Sequence, residues 1–179
     1  MFVQTENTPN PNSLKFLPGK IVSKNGSFEI TKKHDVQNEL IKSLLLVKGV
    51  ENIFLGEDFI SINKHSDFSW DEIKHIVISL INDFYSDGKE FVIDENLKED
   101  ASNLNEIEEK IVKILEQKIR PAVARDGGDI KFKEFKNGIV KVQLQGSCSG
   151  CPSSTMTLKQ GVQNLLCHYL PEVKEVISI

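Results

Sequence analysis

Arginine is nearly missing from this chain. Arg120 and Arg125 are the only two in 179 residues, so the positive charge is almost all lysine. Lys and Arg together number 22 against 26 acidic residues, a formal net charge of −4. A polyanion held mainly by charge is therefore not expected as a partner, and the bidentate forks that read guanine or grip phosphate are scarce. No nucleic-acid partner is predicted. Long apolar runs are also missing. The longest, Ile76-Val77-Ile78-Ser79-Leu80-Ile81, is far short of the ~20 residues that span a bilayer, and reads as a buried helix face; no membrane partner is predicted. The start, Met1-Phe2-Val3-Gln4-Thr5-Glu6, has no basic segment followed by an apolar one, and no arginine precedes Arg120. It reads neither as a secretory signal nor as a transit peptide. The expectation is a cytoplasmic protein if bacterial, or alternatively a processed chain of the mitochondrial matrix.

Cysteine is scarce too. Three residues, an odd number, do not make a disulfide scaffold at this length, and they turn attention to Cys148 and Cys151.

What is present divides the chain. Residues 1–93 carry 10 lysines against 13 acids, and residues 104–179 carry 11 basic residues against 9 acidic ones. Between them, residues 94–103 hold four acids, one lysine and few apolar side chains, the composition of a solvated linker. The predicted fold class is α+β, with two small α+β domains, 1–93 and 104–179, joined by a flexible acidic linker at 94–103.

In the first domain, Phe2–Thr5 and Leu14–Leu17 read as strands around Thr8-Pro9-Asn10-Pro11-Asn12-Ser13, whose two prolines make a rigid loop. A helix is expected from about Val36 to Val47, closed by Gly49. Val50–Leu55 and Phe59–Asn63 read as a hairpin. Ser69-Trp70-Asp71-Glu72 is a capping box opening a helix to about Tyr85.

The second domain is expected to run α-β-β-α-β. Its first helix, capped by Asn103 or Asn105, should kink or end near Arg120, before Pro121. Asp126-Gly127-Gly128-Asp129 reads as a turn, with the two aspartates as turn caps rather than a cation site. Ile130–Phe135 and Ile139–Leu144 flank Asn137-Gly138, a strong hairpin signal. A helix from about Pro152 to Tyr169 and a strand over Val173–Ile179 complete it.

Gly146-Ser147-Cys148-Ser149-Gly150-Cys151-Pro152 lies between strand and helix. Two thiols in C-x-x-C spacing can reach one centre. The helix N-terminus beside them predicts depressed thiol pKa values. The glycines allow a bulky ligand close to the backbone. Cys167 lies 16 positions beyond Cys151, which is roughly 24 Å along a helix. It is read as a spectator facing away from the apolar stripe, and His34, His65, His75 and His168 as ordinary histidines. Ligand counting leaves three readings open: a redox dithiol in one chain, a four-thiolate cluster shared by two chains, or zinc held the same way. The thioredoxin-like dithiol is weakened because such motifs belong to a parallel βαβ unit, whereas the context here reads as mainly antiparallel.

The motifs Arg120-Pro121, Asp126-Gly127-Gly128-Asp129 and Gly146-Ser147-Cys148-Ser149-Gly150-Cys151-Pro152-Ser153-Ser154 make the C-terminal stretch, Asn105 to Ile179, similar to the NifU C-terminal (Nfu) domain. Thr8-Pro9-Asn10-Pro11-Asn12-Ser13-Leu14-Lys15-Phe16, with Gly19, resembles the Nfu N-terminal domain. The resemblance implies an iron–sulfur cluster scaffold or carrier, not an enzyme. Cys148 and Cys151 would be its metal and cofactor ligands. A [4Fe–4S] cluster, or alternatively [2Fe–2S], would bridge a homodimer formed on cluster binding. The implied partners are apo iron–sulfur client proteins and upstream cluster-assembly proteins.

Overall fold

The computed structural model describes residues 2–90 and 103–179. All of the expected linker except Asn103 lies outside the described residues. The protein is α+β, and its contacts divide it into two compact units, Met1–Glu99 and Asp100–Ile179.

The first unit is a five-stranded antiparallel sheet with two helices. Strands β1 (Gln4–Asn7), β2 (Ser13–Leu17), β3 (Phe28–Thr31), β4 (Val50–Leu55) and β5 (Ile60–Lys64) lie in the order β1-β2-β5-β4-β3. Alternation puts Leu14, Phe16, Ile30, Ile53, Leu55, Ile60 and Ile62 on one face, where register pairs Leu14 with Ile62 and Ile53 with Ile62. Helices α1 (Glu39–Leu46) and α2 (Trp70–Ser86) add Leu40, Leu44, Ile73, Val77 and Ile81 to that core. The expected Ser69 capping box is formed on both sides.

Two starting points and one strand differ from the sequence reading. The first strand begins at Gln4 rather than Phe2, whose side chain is exposed. Helix α1 starts only at Glu39, because Asn38 caps it by accepting the Ile41 N–H; Val36 is buried in the core from the loop before it. Strand β3 was not anticipated. Its alternation, Phe28 and Ile30 buried with Glu29 and Thr31 only partly so, was legible but just four residues long.

In the second unit, α3 (Glu106–Ile114) starts at Asn105, which caps the Ile107 and Glu108 N–H groups. Proline does not end the helical run. A π-helical turn over Leu115–Ile119 leads straight into α4 (Arg120–Arg125). The widened turn places Pro121 at the start of the next segment, where its missing N–H costs nothing. Strands β6 (Gly128–Lys136) and β7 (Ile139–Gly146) form the expected hairpin, with Asn137 and Gly138 at φ 53° and 81°. After α5 (Pro152–Tyr169), β8 (Glu175–Ser178) pairs parallel with β7. The βαβ unit held against the sequence context is thus present: β7, α5 and β8 are one, with the cysteine loop at its first turn. The core joins Ile111, Leu115, Val123, Ile130, Val140, Val142, Val162, Leu166 and Val176.

Candidate functional site

The cysteine loop is set by backbone geometry on both sides. Gly146, the last residue of β7, and Gly150 adopt left-handed φ of 65° and 75°, which L side chains adopt only with strain. Between them, Ser149 donates to the Gly146 carbonyl through both its N–H (3.1 Å) and its hydroxyl (2.9 Å), closing a tight turn. Cys151 is the N-cap of α5, and its carbonyl accepts the Thr155 N–H at 2.9 Å. The Thr155 hydroxyl donates to the Cys148 carbonyl at 3.2 Å, so the first turn of the helix holds both cysteines.

A floor under Cys148 comes from Asp126–Asp129. The Ser147 N–H donates to the Gly127 carbonyl at 3.1 Å, and the Ser147 hydroxyl to the Asp126 carbonyl. A Cβ on Gly128 would stand 2.5 Å from the Cys148 Sγ and 2.7 Å from the Gln145 carbonyl oxygen. Gly128 therefore serves close packing against the thiol, while Gly127, at φ 81°, makes the turn.

The turn-cap reading of Asp129 is corrected here. Its carboxylate is buried and accepts Arg120 Nε and Nη2, each at 2.8 Å, with the Ile130 N–H on the same oxygen as Nε. The Arg-Pro and Asp-Gly-Gly-Asp motifs thus meet in space: the bidentate pair joins the start of α4 to the strand that floors the cysteine.

Cys148 and Cys151 are both buried, at 7% and 8% exposure, and neither is in a disulfide. The expected depression of the thiol pKa is not what the fold produces at Cys148. Burial pushes it up, to about 11. The Ser147 hydroxyl opposes this, and the charges of Asp126 and Asp129 add to it. Desolvation outweighs the helix terminus because the thiolate has been taken out of water. The metal-free protein holds this thiol protonated, so iron or zinc must displace the proton.

That shift makes a pH prediction for the metal-free chain. The folded state keeps a proton that the unfolded chain releases near the ordinary thiol value of 9. Its stabilising contribution is whole below that pH and is lost as pH rises through about 11. Urea unfolding followed by hydrogen exchange in β6 and β7 should show wild type losing stability between pH 9 and 11 more steeply than Cys148→Ala. The difference is at most about 1.4 kcal/mol per pH unit. Parallel slopes would refute the shift.

Cys167 is not turned from the apolar stripe as expected; it is half-buried against the core of the second unit. Among the described residues no group of three or more His, Cys, Asp or Glu side chains is arranged to hold a metal. His34 bonds to Thr31, His65 pairs with Asp67 and His168 contacts the Tyr169 ring. Within one chain the candidate donor set is the two thiols.

Comparison with known proteins matches two family models. Residues 3–88 match "Scaffold protein Nfu/NifU N terminal" and residues 111–177 match "NifU-like domain". The human mitochondrial NFU1 iron-sulfur cluster scaffold homolog is 41% identical over 100% of this chain and 72% of its own length. The chain belongs to the Nfu family. NifU-like protein 4, a mitochondrial protein of Arabidopsis thaliana, is 44% identical over 98% of this chain. The chain spans 65% of that relative's length. A solution structure of a NifU-like protein from Saccharomyces cerevisiae overlays 52% of this chain and 85% of its own, with a TM-score of 0.48 and 29% identity.

Proposed function

We propose that this Nfu-family chain is an iron–sulfur cluster scaffold and carrier, with Cys148 and Cys151 as its ligands and a [4Fe–4S] cluster as cargo. The observation that carries the reading is the pair of buried thiols held by β7 and the first turn of α5 in a chain of this family. Two thiols are half of the four that a cluster takes, and a second copy of the chain supplies the rest across a two-fold seam. A [2Fe–2S] cluster takes the same four. A cluster shared at a seam is exposed to an apoprotein on dissociation, which suits a carrier that receives a cluster and passes it to a client. Binding and hand-over need the thiolates and no catalytic residue.

Residues 1–93 and 104–179 act as separate domains, with 94–103 as the linker. The two compact units and the two family matches, 3–88 and 111–177, support this. The mitochondrial names of the relatives support the mitochondrial alternative rather than the cytoplasmic one.

The placement of the cysteines at the first turn of a βαβ unit favours one rival, a dithiol oxidoreductase. One set of measurements separates the readings. Anaerobic reconstitution with iron, sulfide and competing zinc should give about four irons per two chains and visible absorption, with a shift from monomer to dimer on a sizing column. Zinc alone retained, or full iron on a monomer, would defeat the proposal. Robust insulin reduction by metal-free protein would favour the dithiol.

A further inference from the structure

The N-terminal domain carries a motif that cluster binding does not use. Its proline-containing loop, Thr8–Ser13, folds onto the end of β5 and the start of α2. The Thr8 hydroxyl lies 2.9 Å from the Asn10 carbonyl and 3.0 Å from that of Ser13, and the Asn10 side chain accepts the Asn12 N–H at 3.0 Å. The Trp70 indole N–H donates to the Pro11 carbonyl at 3.0 Å, and the Lys64 N–H to the Asn12 carbonyl at 2.8 Å.

Lys64 stands out within this frame. Two lysines of the domain are buried, Lys15 at 8% exposure and Lys64 at 7%. Lys15 has a carboxylate partner, Glu6, at 3.3 Å. Lys64 has none within ion-pair distance among the described residues. Its ammonium donates to the neutral Asn12 Oδ1 at 3.0 Å and stands 5.7 Å from the centre of the Trp70 ring. Helix α2 begins at Trp70, its first turn already capped by Ser69 and Glu72. A lysine this buried, whose ammonium has one neutral acceptor, lacks a neutralising charge that a counter-anion would supply.

We propose that Lys64, Asn12 and Trp70 form a recognition site for a single side-chain carboxylate flanked by apolar residues on a peptide segment of a partner protein. The charge asks for an anion. The surroundings favour a peptide over a nucleic acid: residues 1–93 contain no arginine and carry 13 acids against 10 lysines, a field that repels polyanions. Exposed Pro9 and Pro11 and the half-buried Trp70 offer apolar surface to the residues flanking the carboxylate. The rigid loop lowers the ordering cost of binding.

Trp70 is the only tryptophan in the chain, so its fluorescence reports on this site directly. The probe is a library of capped heptapeptides, each with one central Asp or Glu among apolar neighbours, titrated into the full chain against Asn and Gln counterparts. Acidic members should saturate a Trp70 signal, with amide counterparts and Lys64→Gln each about tenfold or more weaker. Lys64→Arg should retain binding. Asn12→Asp supplies a carboxylate to Lys64 from within the chain; it should keep the fold and abolish peptide binding, which protects the test if Lys64→Gln fails to fold. The proposal is overturned if no acidic peptide binds better than its amide counterpart, or if Asn12→Asp binds like wild type. It is equally overturned if acetate or phosphate displaces the peptides at its own concentration for half-saturation no higher than theirs, a free-anion site only.

Discussion

Replacing either Cys148 or Cys151 with serine is expected to abolish cluster loading, leaving less than about a tenth of the wild-type iron after reconstitution. The effect is this large because the site is shared: one substitution removes two of four thiolates from a symmetric pair of chains. The dimer should disappear with the cluster. Cys167→Ala is the control. Its thiol sits 16 positions along from Cys151, near the far end of the same helix, roughly 24 Å away along the axis. Iron content, absorption spectrum and dimer fraction should match wild type. Iron lost in Cys167→Ala but kept in Cys151→Ser would sink the assignment of ligands.

The second large effect concerns stability in the metal-free protein. Arg120→Gln strips the bidentate partner from Asp129, whose side chain is only 6% exposed. A buried carboxylate that loses its cation is far more costly than the pair itself is stabilising. The second unit should lose about 3 kcal/mol, read by urea unfolding with hydrogen exchange in β6 and β7 as the probe. Asp129→Asn should cost less, because Arg120 is one-third exposed and water can solvate it. In the double variant the losses should not add, since the uncompensated charge is gone. Simple additivity would mean that the ion pair contributes little. Reduced thermal stability should be accompanied by faster alkylation of Cys148, because Asp129 directly follows Gly128, the residue packed against that thiol.

The pair also explains a limit of reading motifs one at a time. Arg120 and Asp129 were each visible, one as part of an Arg-Pro step and one as part of a glycine turn. Their partnership depends on how α4 lies against β6, and a single-segment reading has no access to that packing. The same holds for Gly128. The turn signal was right for Gly127, but its neighbour is a glycine for a contact with a residue 20 positions later.

Local pattern alone reached the α+β class, the capping box at Ser69 and the Asn137-Gly138 hairpin, and it singled out Cys148 and Cys151 as candidates. Each depends on residues a few positions apart, where backbone propensity and side-chain reach act directly. What only the tertiary structure decided depends on distant segments. The parallel pairing of β8 on β7 turned an apparently antiparallel unit into a βαβ crossover. Burial overrode the helix terminus at Cys148 and raised its pKa, and it left Lys64 short of a counter-charge. Spacing reports which groups are near along the chain; desolvation and pairing are set by which groups are near in space, and those come only with the fold.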